Sequence, residues 1–311
     1  LSRRQFVRLM AAAGVGTALA ACGSEEATVP QASREEPPPA STDQAYLAVA
    51  RGSDPRAITR AALAAIGGIE RFVKSGDNVI VKPNICHDYH TYEYATTTNP
   101  DVVAALVELC LGAGARRVRV MDMPFGGGPE SAYARSGISD AVAAPGGQME
   151  IMNRAKFQAT EIPQGRDISD WAVYQDVLTA DVLINVPIAK HHSLARLSLA
   201  GKNLLGVVRN ANKIHINLGQ RIADLVSLIR PTLTVVDAVR TLVAHGPTGG
   251  NLADVRLTNT IIASHDIVAA DAYATTLFDL TGEDIGYVKA AAEMGLGTLD
   301  LAAIKIEEIA L

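Results

Sequence analysis

Lys190, His191, His192, Lys202, Lys213 and His215 fall within residues 190–217, and no Asp or Glu interrupts that span. Ammonium groups without acidic partners attract anions, and imidazole near neutral pH carries protons or binds metal. Gly201 and Gly206 bracket Lys202 and Asn203, and glycine lets a backbone approach a ligand closely. A cationic loop punctuated by glycine suits an anionic ligand or a divalent metal. The competing reading is a merely basic surface, and the lack of acidic partners weighs against it.

Such a loop needs a scaffold. The apolar run Val182–Val186 reads as a buried strand that breaks at Pro187 and delivers the loop. Short apolar runs at 45–50, 78–81, 118–121, 232–236 and 260–263 also read as strands. Helical spacing appears in Ile58, Leu63, Ile66 and Ile69, then in Val102, Val103, Leu106 and Val107, then in Ile222, Leu225, Val226 and Ile229. Asp54, Asn99, Asn217 and Asp266 read as helix caps. Residues 287–294 read as a further helix and 304–309 as a last, edge strand. This alternation predicts an α/β fold: a largely parallel, Rossmann-like sheet with helices on both faces, in a single main domain. Residues 124–180 keep no clear period. The glycines at 126–128 read as a flexible loop without the spacing of a dinucleotide or P-loop fingerprint.

Parallel sheets bind ligands beyond the carboxyl ends of their strands. The strands here end in Lys82, Asp122, the Lys190 loop and Asp237. Their convergence makes Lys190, His192, Lys202 and Asp237 the candidate catalytic residues. Lys82, Asn84, Asn203 and Lys213 are candidate anion contacts, and His192, His215 and Asp237 are candidate metal ligands. Successive strand residues face opposite sides, so one of His191 and His192 is expected in the crevice. Asp271, in an Ala-rich helix, is expected to pair with a cation or join the site. His87-Asp88-Tyr89-His90 reads as a polar loop.

With 311 residues, formal charge −5 and 48% hydrophobic residues, the chain has ordinary globular composition, and nothing suggests nucleic acid as a partner. Residues 1–22 read as a targeting segment. Ser2-Arg3-Arg4-Gln5-Phe6-Val7 resembles the twin-arginine export motif. The Ala-rich stretch after it is shorter than the about 20 apolar residues of a membrane span. Leu19-Ala20-Ala21-Cys22 resembles a bacterial lipobox, which implies cleavage before Cys22 and lipid on its sulfur. Residues 23–42 are polar and Pro-rich and read as a disordered tether, leaving 43–311 for the α/β domain. Export by the twin-arginine machinery, with lipid anchoring on the outer face of the cytoplasmic membrane or in the periplasm, is the expected localisation. Beyond Cys22 only Cys86 and Cys110 remain, too few for an iron–sulfur cluster. Whether those two pair stays open.

VIVKPNIC at 79–86, TTNP at 97–100, NVPIAKHH at 185–192, GKNLLG at 201–206, VVDAVRTLVAHGPTGG at 235–250 and SHDIVAADAY at 264–273 resemble, in order, the family known as domain of unknown function 362. That family's usual exit from the central strand has Lys, one residue, then His, which Lys190 and His192 match. Some members carry a ferredoxin-like module, for which this chain lacks the cysteines. A second similarity is to the core of nickel-pincer lactate racemases, in the order His, Gly-rich turn, Lys, later His. It implies a pyridinium cofactor on Lys202 and nickel on His215, although the neighbouring residues differ.

These readings lead to an exported, membrane-tethered enzyme acting on a small anionic molecule with a bound metal or cofactor. The alternative is a non-catalytic lipoprotein that binds a solute or metal.

Overall fold

The runs that alternate between apolar strand and amphipathic helix assemble as one mixed, mostly parallel sheet. A computed structural model describes residues 44–311; the twin-arginine motif, Cys22 and the tether lie outside the described residues. In chain order the strands are β1 (Leu47–Arg51), β2 (Asn78–Pro83), β3 (Arg117–Val120), β4 (Gln148–Met149), β5 (Phe157–Glu161), β6 (Asp170–Tyr174), β7 (Val182–Val186), β8 (Ile188–His192), β9 (Arg196–Ser198), β10 (Leu233–Leu242), β11 (Val255–Ser264) and β12 (Ile306–Ala310). Across the sheet the order is β12-β1-β11-β10-β7-β2-β3-β4. β11 runs against both neighbours, and the other pairs on that path are parallel. β5 and β6 form a separate antiparallel ribbon.

The pleat sorts the strand residues onto two apolar layers. Leu47, Val49, Ile80, Leu183, Val236 and Ile262 face one layer, with the helices Leu218–Ile229, Ile267–Thr275 and Gly286–Glu293. Ala48, Val79, Val81, Ile184, Val235 and Ile261 face the other, with the helices Pro55–Ala65 and Pro100–Gly112. Helices therefore cover both faces, as the near-continuous apolar strands require. Asp54, Asn99 and Asp266 each accept backbone N–H groups at a helix start. Asn217 precedes its helix but makes no side-chain capping bond.

Pro187 does not end strand structure. β10 is ten residues long and keeps pairing past the break, first with β7 and then with β8. Lys190, His191 and His192 thus lie on a strand, not in the loop that the sequence suggested. β8 turns back on β9, with His192 opposite Arg196. The weak stretch after residue 124 holds the helices Pro129–Arg135 and Ile138–Ala143, β4 and the β5–β6 ribbon. The 126–128 loop is seated on the segment after β2, through a bridge between His87 and Gly126.

Candidate functional site

Lys82 leaves β2 on the face of Ile80, toward the helix Ala200–Asn203. Its ammonium donates to Asp122 Oδ1 at 2.7 Å, to Pro83 O at 2.8 Å and to Asn203 Oδ1 at 3.1 Å. Lys82 and Asp122 are both almost fully buried. Burial pushes the lysine down and the carboxyl up, and their mutual attraction opposes both shifts. All three donors are in use, so Lys82 anchors the frame and does not neutralise a ligand. Asn203 is also engaged: its amide donates to Asn185 Oδ1 at 2.8 Å and to Lys82 O at 3.3 Å. Gly206 closes this knot, because a Cβ there would lie 1.9 Å from Asp122 Oδ1.

The start of Ala200–Asn203 is fixed from two sides. Asn185 Nδ2 donates to Ala200 O at 2.9 Å. Asp271, from the helix Ile267–Thr275, accepts the Ala200 N–H at 2.6 Å and the Gly201 N–H at 2.9 Å. Asp271 is therefore a backbone cap rather than half of an ion pair. Burial raises its carboxyl to about 7.

This clamped turn presents Lys202. Burial and then Lys190 pull its ammonium down to about 8, and no carboxylate acts on it. Lys190 is buried, donating to Thr96 O at 2.6 Å and Pro247 O at 3.3 Å. The Cys86 thiol lies against Lys190 and 3.7 Å from Pro247 O. Burial pushes that thiol up, while Lys190 and Lys202 pull it back. Asn84 donates its backbone N–H to Thr98 Oγ1 at 2.8 Å. The side-chain oxygens of Asn84, Thr96 and Thr97 are buried without a hydrogen-bond partner.

His192 Nδ1 accepts the Leu194 and Ala195 N–H groups at 3.1 and 3.2 Å. The proton of the neutral ring must then sit on Nε2. Burial, Lys202 and Lys190 hold the ring down to about 3. A metal at Nε2 would need Nδ1 to be the donor instead, so His192 is not arranged as a metal ligand. His215, on the turn Ala211–Asn217, brings its ring centroid to 6.4 Å from that of His192. Burial first, then Lys202, lowers its pKa. His191 turns the other way, accepting the Gly246 N–H on Nδ1 at 3.1 Å. The loop at 245–250 closes over these groups, and a Cβ on Gly246 would meet His191 O at 1.9 Å.

Two expected members stand apart. Asp237 lies on the layer of Val235, facing the helix Pro100–Gly112; strand parity puts it on the sheet face opposite Lys82. It accepts the Asn99 N–H at 2.7 Å and the Val239 N–H at 2.9 Å, and burial raises it to about 6. It neither orients a histidine nor joins His192 and His215, and no group of three or more His, Cys, Asp or Glu among the described residues is placed to hold a metal ion. Lys213 is exposed and lines a separate groove with Asp167, Asp170 and Trp171. Cys86 and Cys110 are both buried free thiols, so they do not pair. The cysteine count raises Cys86 only as a cluster ligand or half of a disulfide, although its place two residues after Asn84, at the exit of β2, is the signal for the site.

The geometry defines an α/β protein that gathers Lys190, Lys202, His192 and His215 beyond the carboxyl ends of its parallel strands. The chain belongs to the family described as domain of unknown function (DUF362), which matches residues 79–276. It is 28% identical over 253 residues to the thylakoid-associated protein sll1697 of Synechocystis sp., covering 76% of this chain and 74% of that protein. A structural comparison pairs it with the lactate racemase apoprotein from Thermoanaerobacterium thermosaccharolyticum at a TM-score of 0.48 and 11% identity. That alignment covers 74% of this chain, which spans only 56% of the racemase structure.

Proposed function

We propose that this chain is an enzyme that holds a small anion between Lys202 and Lys190 and moves a proton on it. The observation that carries this reading is Lys202: a partly buried ammonium, lowered to about 8 by burial and then by Lys190, on which no carboxylate acts. Removing a charge from water without a partner is costly, and an anionic ligand would relieve that cost. His192 keeps Nε2–H available as a hydrogen-bond donor, and its low pKa makes it a poor proton acceptor at neutral pH. His215 and the neutral fraction of Lys202 are the better bases. The test is a thermal-shift screen of the purified chain and its Lys202→Ala variant against phosphate and small carboxylates. Stabilisation of the parent and none of the variant supports the reading; equal stabilisation of both removes it. A chain that binds the anion but turns over no substrate is the solute-binding alternative.

A second reading places a pyridinium-derived nickel cofactor on Lys202, with His215 as the metal ligand. An amine with a pKa near 8 and no carboxylate partner fits covalent attachment. The cofactor would supply nickel and an electron sink, while Lys190 and His192 would orient the substrate. Peptide mass mapping of protein from its native host tests this, since an unmodified peptide containing Lys202 excludes the adduct.

Export by the twin-arginine route and lipid anchoring at Cys22 belong to the same proposal, supported by Arg3, Arg4 and the residues 19–22. Lysine at both Arg3 and Arg4 should retain the precursor in the cytoplasm, and normal export of that variant would reject the route.

A further inference from the structure

We propose that the anion taken by the crevice carries an apolar tail, so that the ligand class is an anionic amphiphile such as an alkyl carboxylate or alkyl phosphate. This rests on the anion reading above and adds what lies around the cations. Tyr89, Phe125, Leu194 and Ile216 are 51%, 66%, 70% and 76% exposed. Each is tied to His87, Cys86, His192 or His215, and Lys190 or Lys202 acts on every one of these groups. Tyr89 stacks on His87 at 4.4 Å between ring centroids, and the Phe125 ring stands edge-on to His87 at 6.3 Å. The Phe125 N–H donates to Cys86 O at 3.1 Å. The Leu194 N–H donates to His192 Nδ1. Ile216 follows His215 in the turn whose ring lies near His192.

Tyr89, Phe125 and Leu194 leave the chain just after β2, β3 and β8, and Ile216 lies in the turn Ala211–Asn217 after β9. Scattered exposed leucines mean little, but exposed Phe, Leu and Ile side chains each held next to a group on which Lys190 or Lys202 acts mark a place where apolar surface is covered on binding. The charge of the two lysines selects the occupant: an anionic head for Lys202 and Lys190, with its apolar part against Phe125, Leu194 and Ile216. A fully polar anion would leave those side chains in water. The head and tail are shared by a free fatty anion and by a lipid headgroup in a bilayer, and the rim alone does not separate the two sources.

The experiment measures binding of a straight-chain carboxylate series, from acetate to octanoate below its micellar concentration, by calorimetry on the full chain. Affinity should rise by about fourfold for each added methylene, as for ordinary burial of that group. Phe125→Ser and Leu194→Ser should flatten that rise and leave acetate binding as it was, and Lys202→Ala should weaken every member of the series. Acetate binding with no dependence on chain length keeps the crevice and overturns the tail. Binding of no member overturns both. A parallel arm uses the Cys22→Ala chain with vesicles of phosphatidylcholine alone or with phosphatidylglycerol. Flotation with the anionic vesicles that Phe125→Ser and Leu194→Ser abolish, without binding of free octanoate, assigns the rim to a membrane surface and overturns a free ligand. Concentration-dependent sedimentation that the two serine variants abolish makes the rim an interface between copies and overturns the proposal.

Discussion

Asp271 Oδ2 accepts the Gly201 N–H at 2.9 Å, one residue before Lys202, so a buried carboxylate on one helix fixes the turn that presents the crevice lysine. Burial raises that carboxyl from 3.8 to about 7, against the pull of the two backbone N–H bonds. Below 3.8 the folded and unfolded chains are both protonated here. Between 3.8 and about 7 the unfolded chain releases a proton that the folded one keeps, so stability falls as pH rises through that window. The expected slope from this group is about 1.4 kcal/mol per pH unit, and Asp237, raised to about 6, adds the same sign over a shorter range. Urea titrations across the window should show a shallower slope in Asp271→Asn, and parallel slopes would mean that the carboxyl is ionised throughout.

The Lys82–Asp122 pair makes a separate prediction about stability. Removing one member leaves an uncompensated buried charge, so Lys82→Met should cost about 3–5 kcal/mol. Combining it with Asp122→Leu should restore much of that loss, because both charges then leave together. Denaturant midpoints for the two single variants and the double variant decide this, and additive losses would mean that the pair is not coupled.

Lys202→Ala should leave folding stability within about 0.5 kcal/mol of the parent or raise it, since it deletes a charge that lacks a carboxylate. The same change should weaken anion binding by about 2–3 kcal/mol, as for a charge-assisted hydrogen bond. In the parent, affinity should hold at neutral pH and decline once pH passes about 8, where the ammonium is lost. Calorimetry with phosphate or acetate on either side of that pH gives the answer, and affinity that rises with pH contradicts it.

His192 should remain neutral well below the ordinary histidine range, taking a proton only near 3. Its stabilising contribution is fully present above 6.5 and is lost as pH falls from 6.5 to about 3. The ring proton signals of His192 in an NMR titration should stay flat where an exposed imidazole moves, with His87 behaving similarly down to about 4. A His192 midpoint near 6.5 would place the ring in solvent.

The scaffold was legible because its strands are short apolar runs and its helices carry Asp54, Asn99 and Asp266 at their starts. Lys82 was legible as a strand exit, and Lys190 and Lys202 as members of one basic stretch, but their partners were not. Lys82 looks like Lys202 in sequence, and only the pairing of β2 with β3 and β7 brings Asp122 and Asn203 to it. Asp237 was misplaced because a residue's position in the chain does not say which side of the pleat it faces once β10 continues past Pro187. The β5–β6 ribbon stayed hidden because its short strands are half exposed and carry no continuous apolar run.

The place of β1 one strand in from the sheet edge, between β12 and β11, bears on how the chain acquires its fold. β1 pairs with β11 on one side and β12 on the other, and the Leu311 N–H reaches back to Arg51 O at 2.9 Å. A nascent chain therefore carries its first strand without either lateral partner through most of synthesis. Closing that edge draws together segments separated by more than 200 positions, from Leu47–Ser264 to Arg51–Ala310, and pairings of such long sequence separation are slow to form. Chains shortened by a few residues at this end should bare the outer side of β1 and become substrates for chaperones and proteases while the crevice residues are still intact.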